Sequence, residues 1–314
     1  MTLLADILPV IVVALAGYLF AWRGWLQPEE SAVLSKFTFT LAIPCLLFIS
    51  LATASIPAGT GGGLLLAYYT PVLLVYLLAA WLGWWLFACD APQRSVLAMG
   101  AAYSNTTVIG IPLVVQTLGR EALVPLFLLI AVQNLFLFTA GTLVAEFGQG
   151  GRHSLRSELW NLGRQLVSSP ITASLIAGVL YNLSGLTLFP PVANTLGLIA
   201  DAAIPLALFV LGTSLQRFRM RGALAPALLM SLLKTVVLPL LVWLFCFRVF
   251  ALEPLWAHTA LLASTLPTGI SAYVFAVRYD TGHAMVAAGS LMTAIFSIVP
   301  VLIVLWLITA QSVQ

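Results

Sequence analysis

Two short polar runs interrupt stretches that are otherwise apolar enough to span a membrane. The first, at 103–112, reads YSNTTVIGIP and sets Ser104, Asn105, Thr106 and Thr107 side by side, with Gly110 and Pro112 following. The second, at 264–271, reads STLPTGIS and carries Pro267, Thr268, Gly269 and Ser271. An unsatisfied polar group in hydrocarbon costs several kcal/mol, so a continuous lipid-facing helix would not be written this way. A broken helix lining a cavity would be. Proline lacks an N–H and frees a carbonyl one turn earlier, and glycine tolerates unwound backbone. Each break begins a half-helix whose open N–H groups and partial positive charge suit an anion such as a carboxylate. Asn105, Thr106, Thr107, Thr268 and Ser271 add neutral donors. The plainer reading is two ordinary kinks whose small polar residues pack helix on helix. Two breaks at corresponding places favour the site.

Few other residues offer chemistry. Asp201 and Lys234 are the deepest ionisable residues, and a charge at a helix centre costs roughly 2.5–3.5 kcal/mol on insertion scales. They read equally as a proton- or substrate-coupled pair, as a static ion pair, or as two residues bonded separately at helix breaks. Gln133 and Asn134 sit mid-span and read as cavity-lining or helix-bridging side chains. Cys45, Cys89 and Cys246 lack paired spacing, and His153, His258 and His283 lie at span ends or in a loop, so no metal centre is expected. HExxH, GxSxG and P-loop signatures are missing. The expectation is a non-enzyme with no cofactor.

These residues must be positioned by helices in a bilayer. Of 314 residues, 61% are hydrophobic and 7% charged, against about 25% charged in a soluble domain. The apolar segments are too long for barrel strands, which need only about 10 residues. The fold class is therefore all-α integral membrane, and the net charge of +3 gives no reason to expect a nucleic-acid partner. Ten spans emerge, near 4–22, 33–53, 64–88, 95–118, 122–146, 168–186, 193–215, 223–247, 256–277 and 283–308. The first has no basic region before it and reads as a retained helix. Pro44, Gly110 and Pro205 mark further helix breaks. The glycine run 61–63 reads as a turn.

AIPCLLF at 42–48 returns as AIPLALF at 203–209, an offset of 161 residues, and the same offset lays 103–109 over 264–270. Five spans per half is an odd number, so the halves insert with opposite orientation. This gives a first repeat at 1–146, a linker at 147–166 and an inverted second repeat at 167–314. Basic residues concentrate after odd-numbered spans, at Arg23, Arg94, Arg152, Arg156, Arg164, Arg217, Arg219, Arg221 and Arg278, against Arg120 and Arg248 after even ones. The linker is then cytoplasmic and both termini outside, in a cell (inner) membrane.

SNTTVIGIPLV (104–114), IADAAIPLALFVLGTSL (199–215), LKTVVLPLL (233–241) and LPTGISAYVFAVRYD (266–280), in this order, resemble the auxin efflux carrier family, with its plant PIN proteins and bacterial malate or malonate transporters. The resemblance covers nearly the whole chain. It implies a ten-helix inverted repeat like that of bile-acid sodium symporters, with a scaffold domain, a transport domain and crossing fourth and ninth helices. It implies a carboxylate held beside Asn105, with Pro112 and Pro267 as the crossing prolines, while Ser271 stands where relatives often have asparagine. It places the seventh helix in the scaffold and the eighth in the moving domain, which favours a lone Lys234 where sodium-coupled relatives hold sodium. The function implied is elevator-type, alternating-access transport of small organic anions such as malate, malonate or auxin-like acids. Protons, sodium or no ion as the coupling partner, and a homodimer, are left open. A sodium-coupled symporter of the bile-acid type and a non-transporting membrane sensor are the alternatives. Acidic residues near the crossings would favour the symporter, and an appended output domain the sensor.

Overall fold

The computed structural model describes residues 2–53, 60–147, 170–215 and 224–311. The linker read at 147–166, beyond Phe147, and the basic RFRMR loop at 217–221 fall outside these. All regular elements among the described residues are helical, apart from an isolated antiparallel bridge between Ser104 and Thr268. Six helices are long and apolar enough to cross a membrane: Pro28–Ala52, Gly61–Phe87, Arg120–Ala145, Pro190–Thr213, Leu224–Val249 and His283–Ile308. Val12–Trp22, Thr106–Leu118 and Pro170–Leu183 are shorter apolar helices. The expected all-helical membrane class is what the described residues show.

The described residues fall into two compact units. One is bounded by Met1–Pro57, Thr107–Phe127 and Arg164–Arg217; the other by Ala58–Thr106, Leu128–Gly163 and Phe218–Gln314. Each draws on both halves of the sequence. The first unit holds α1 (Thr2–Trp22), α2 (Pro28–Phe37), α3 (Ile43–Ala52), α6 (Ile111–Leu118), α8 (Pro170–Leu183), α9 (Pro190–Asp201) and α10 (Ala203–Leu215). The second holds α4 (Thr60–Phe87), α5 (Ala91–Ala102), most of α7 (Leu123–Phe147), α11 (Leu224–Leu232), α12 (Leu238–Leu244), α13 (Pro254–Thr265), α14 (Ile270–Arg278), α15 (His283–Phe296) and α16 (Ile298–Gln311).

Proline spacing explains several joints. Pro44, Pro112 and Pro239 are each the second residue of a helix, and a five-residue π-turn precedes each: Thr38–Ala42, Thr106–Gly110 and Leu233–Val237. A proline ring inside an α-helix runs into the carbonyl one turn back, and the widened turn relieves that clash without unwinding the helix. Ile43 N–H then donates to Thr38 O, and Leu238 N–H to Leu233 O. So Pro44 and Gly110, read as breaks, lie in continuous helix, with Gly110 itself in ordinary helical backbone. Near Pro205 the irregularity is a single turn at Ala202, between α9 and α10. The glycine run 61–63, read as a turn, is instead in the first turn of α4. N–H groups there have no helical acceptor, so glycine's weak helix preference matters least.

In the first unit, α1 packs on α10 and α3 on α8. Both contacts centre on a glycine. A Cβ on Gly17 would lie 2.0 Å from the Phe209 carbonyl oxygen, and one on Gly178 would lie 3.0 Å from that of Phe48. Gly178 follows Gly17, and Phe209 follows Phe48, by the same 161 residues that separate the two AIP motifs. Small residues at such crossings let helix backbones approach closely where lipid supplies no hydrophobic drive. In the second unit, Tyr76 donates to Ser95 Oγ at 2.7 Å, and Ser95 Oγ donates to Gly141 O at 2.8 Å, tying α4, α5 and α7 together.

Gly17→Ala must push α1 off α10 and is expected to cost about 1–3 kcal/mol. Gly197→Ala, in α9 with no neighbouring atom within 4 Å of its Cβ, is expected to gain about 0.5–1 kcal/mol. Thermal unfolding of the two variants in detergent should move in opposite directions; equal midpoints would count against the close approach.

Candidate functional site

Both polar runs contain a segment that leaves the helix. After α5 the chain turns extended at Tyr103 (φ −83°, ψ 114°), and after α13 at Leu266 (φ −64°, ψ 150°). The two segments lie antiparallel within the second unit. Asn105 N–H donates to Pro267 O at 2.9 Å and Gly269 N–H to Tyr103 O at 3.1 Å, closing the bridge between Ser104 and Thr268. Gly269 is required by this approach: a Cβ there would stand 2.5 Å from Tyr103 Cδ1 and 3.2 Å from Ser104 O. Its φ of −78° is open to any residue, so the demand is for space and not for backbone freedom.

Side chains satisfy what the bridge leaves over. Ser104 O accepts from Gln133 Nε2 at 2.8 Å and from Thr106 N–H at 2.9 Å. Thr268 N–H donates to Thr293 Oγ1 at 3.1 Å, and Thr268 Oγ1 donates to Gly100 O at 2.7 Å. Tyr68 donates to Ser104 Oγ at 3.3 Å and Thr106 Oγ1 to Gln133 Oε1 at 3.4 Å. The Tyr103 phenol interacts with the Ser271 and Gln133 side chains. Ser104, Thr106, Gln133, Pro267, Thr268 and Gly269 are buried, whereas Asn105 and Ser271 are half-buried. Helix α14 opens at Gly269, which has no side chain with which to cap it.

The remaining sequence candidates separate from this cluster. Pro112 lies in α6 and Gly110 in the π-turn before it, with Thr107 half-buried in the same turn, so the unwound segment precedes all three. Pro267, by contrast, lies in the unwound segment itself. Asn134 belongs to α7. Asp201, at the C-terminus of α9, pairs with Arg120 at 2.7 Å; both side chains are more than half exposed. Lys234 is fully buried and donates from Nζ to Ser264 O at 2.7 Å. The two charges the sequence left as a candidate pair therefore have other partners. Tyr68, Tyr103, Gly100 and Thr293 were not singled out beforehand. Nothing in an apolar span containing one tyrosine or threonine distinguishes a bridge partner from a packing residue.

A family model described as "Membrane transport protein" matches residues 2–305. The chain belongs to this family. It is the auxin efflux carrier family that the motifs resembled, and its members are transporters and not enzymes. A Rhizobium meliloti (strain 1021) protein named "Putative malonate transporter" is 25% identical over 312 residues, covering 98% of this chain and 96% of that one. A Methanothermobacter thermautotrophicus protein named "Uncharacterized transporter" is 27% identical over 303 residues, 94% of each. This membrane transport protein thus carries a small-molecule substrate across a lipid bilayer.

Gly269→Ala is expected to lower thermal stability by about 1–3 kcal/mol, because the added methyl displaces the Tyr103 ring. Tyr103→Leu clears the same space. The double variant should lose less than the sum of the single ones; strict additivity in unfolding midpoints would mean that the two residues do not share this contact.

Proposed function

We propose that this transporter carries small organic anions, and that the anion is held where α5 and α13 unwind. The observation that carries this reading is the start of α14 at a glycine that brings no side chain of its own to cap it, flanked by the half-buried Ser271 and Asn105. Open N–H groups at a helix start and neutral amide and hydroxyl donors hold a carboxylate without a carboxylate-repelling acid nearby. Thr106, Thr268 and Gly269 shape the site from behind. The name of the Rhizobium relative is consistent with a dicarboxylate such as malonate as substrate.

The arrangement proposed around this site is ten spans in two inverted halves, 1–146 and 167–314, joined by a cytoplasmic linker. The glycine contacts repeated at the 161-residue offset support it. An odd number of spans per half gives each broken helix an inverted counterpart, and breaks in corresponding helices are the usual sign of a carrier's binding site. Alternating access then follows if one compact unit moves and takes the bound anion with it.

Purified protein titrated with malonate, malate and an indole carboxylate should bind at least one of them. Asn105→Ala should weaken that binding roughly 10- to 100-fold, the worth of one hydrogen bond to a charged group, with the protein still folded. Full affinity in the variant would remove Asn105 from the site, and failure of the wild-type protein to bind any carboxylate would remove the reading.

A further inference from the structure

A helix broken in mid-membrane sets two opposed charges close together. The carbonyl end of the first half carries about −0.5 of a charge and the N–H end of the second about +0.5. Between α13 and α14 only Leu266, Pro267, Thr268 and Gly269 intervene. Left alone, these two ends largely cancel, and the break holds anions weakly.

Lys234 changes that balance. It sits in the π-turn Leu233–Val237, is 0% exposed, and donates to the carbonyl of Ser264 in the last turn of α13. Its ammonium therefore lies on the negative end of the break. The helices packed on this π-turn include α4, α5, α13 and α15. Their charged and titratable groups are Tyr68, Tyr69, Tyr76, Arg94, His258 and His283, without one aspartate or glutamate. The stretch from α11 to α12 has none either. Among the described residues this buried ammonium is bonded to one neutral carbonyl and has no counter-charge, and that is expensive in a membrane interior. Its one hydrogen bond answers a carbonyl in the last turn of α13, a need that a neutral donor would meet without the cost of a buried charge.

We propose that Lys234 is the resident cation of the anion site. It neutralises the carbonyl end of α13, leaves the N-terminus of α14 unopposed, and has the transported carboxylate as its counter-charge. The inference rests on the anion-carrier reading and deepens it: the site is made positive by a fixed side chain and needs no loose cation. Lys234 acts through the break and not by touching the substrate, so it is a positioning charge.

Lys234→Met and Lys234→Arg test this against malonate and malate, with binding and thermal unfolding measured on the same purified protein. Lys234→Met should bind roughly 10- to 100-fold more weakly while its unfolding midpoint stays near that of the wild type, because removal of a lone buried charge offsets the loss of the donor to Ser264 O. Lys234→Arg should retain part of the affinity. Wild-type binding should not change when sodium is replaced by N-methylglucamine. Wild-type affinity in Lys234→Met overturns the inference and leaves the carrier reading standing. So does a lowered midpoint with unaltered affinity, the mark of a purely structural cap. A requirement for sodium overturns it as well. Absence of any carboxylate binding by the wild type overturns both.

Discussion

Between α5 and α6, and between α13 and α14, the backbone leaves the helix at places where water cannot replace the lost hydrogen bonds. In a bilayer every such N–H and C=O must find a partner inside the protein. The two unwound segments supply each other: Asn105 N–H to Pro267 O, Gly269 N–H to Tyr103 O. Much of the second unit follows from that exchange. Gly269 is small so that Tyr103 can pass over it. Gln133, Thr293, Tyr68 and the carbonyl of Gly100 complete the bonding of Ser104 and Thr268 from four helices. Most polar side chains in the two runs are consumed by this structural demand. Asn105 and Ser271 are half-buried and lie at the unwound segments, unlike the half-buried Thr107 in the π-turn beyond, which is why they are the better candidates for ligand contact.

Proline does different work at different places. Ahead of Pro44, Pro112 and Pro239 a π-turn absorbs the ring and the helix continues. Pro267 has no helix before it to continue, because α13 has ended at Thr265 and Leu266 is already extended. The residue before a proline disfavours helical backbone, and at Leu266 nothing counteracts that preference. The break is thus made by the combination of Leu266, Pro267 and a glycine at 269.

The sequence was a good guide where the deciding physics is local or compositional. Charged-residue scarcity settled the membrane class, and polar runs within apolar spans located both breaks to within a few residues. It was a poor guide where the decision lies with a distant partner. Asp201 looked deep when its position was counted along a span, yet it meets Arg120, 81 residues away, at an exposed position. Gln133 read as either cavity-lining or helix-bridging, and its acceptor, Ser104 O in the unwound segment after α5, lies outside its own helix. Gly61–Gly63 looked like a turn by composition, but the start of α4 is where helix propensity is least demanding. Pro112 and Pro267 looked equivalent, and only the chain geometry around each separates them.

The two ionic residues first considered together show how environment assigns a role. The Arg120–Asp201 pair is more than half exposed on the protein surface, and each charge has the other as its counter-charge. Lys234 keeps no hydration, and a single carbonyl does not replace the water an ammonium gives up. Cores exclude such groups unless something outside the fold repays the loss. In a transporter that something arrives and leaves with each cycle. On the proposed reading the passing substrate meets that charge and stabilises the occupied state over the empty one.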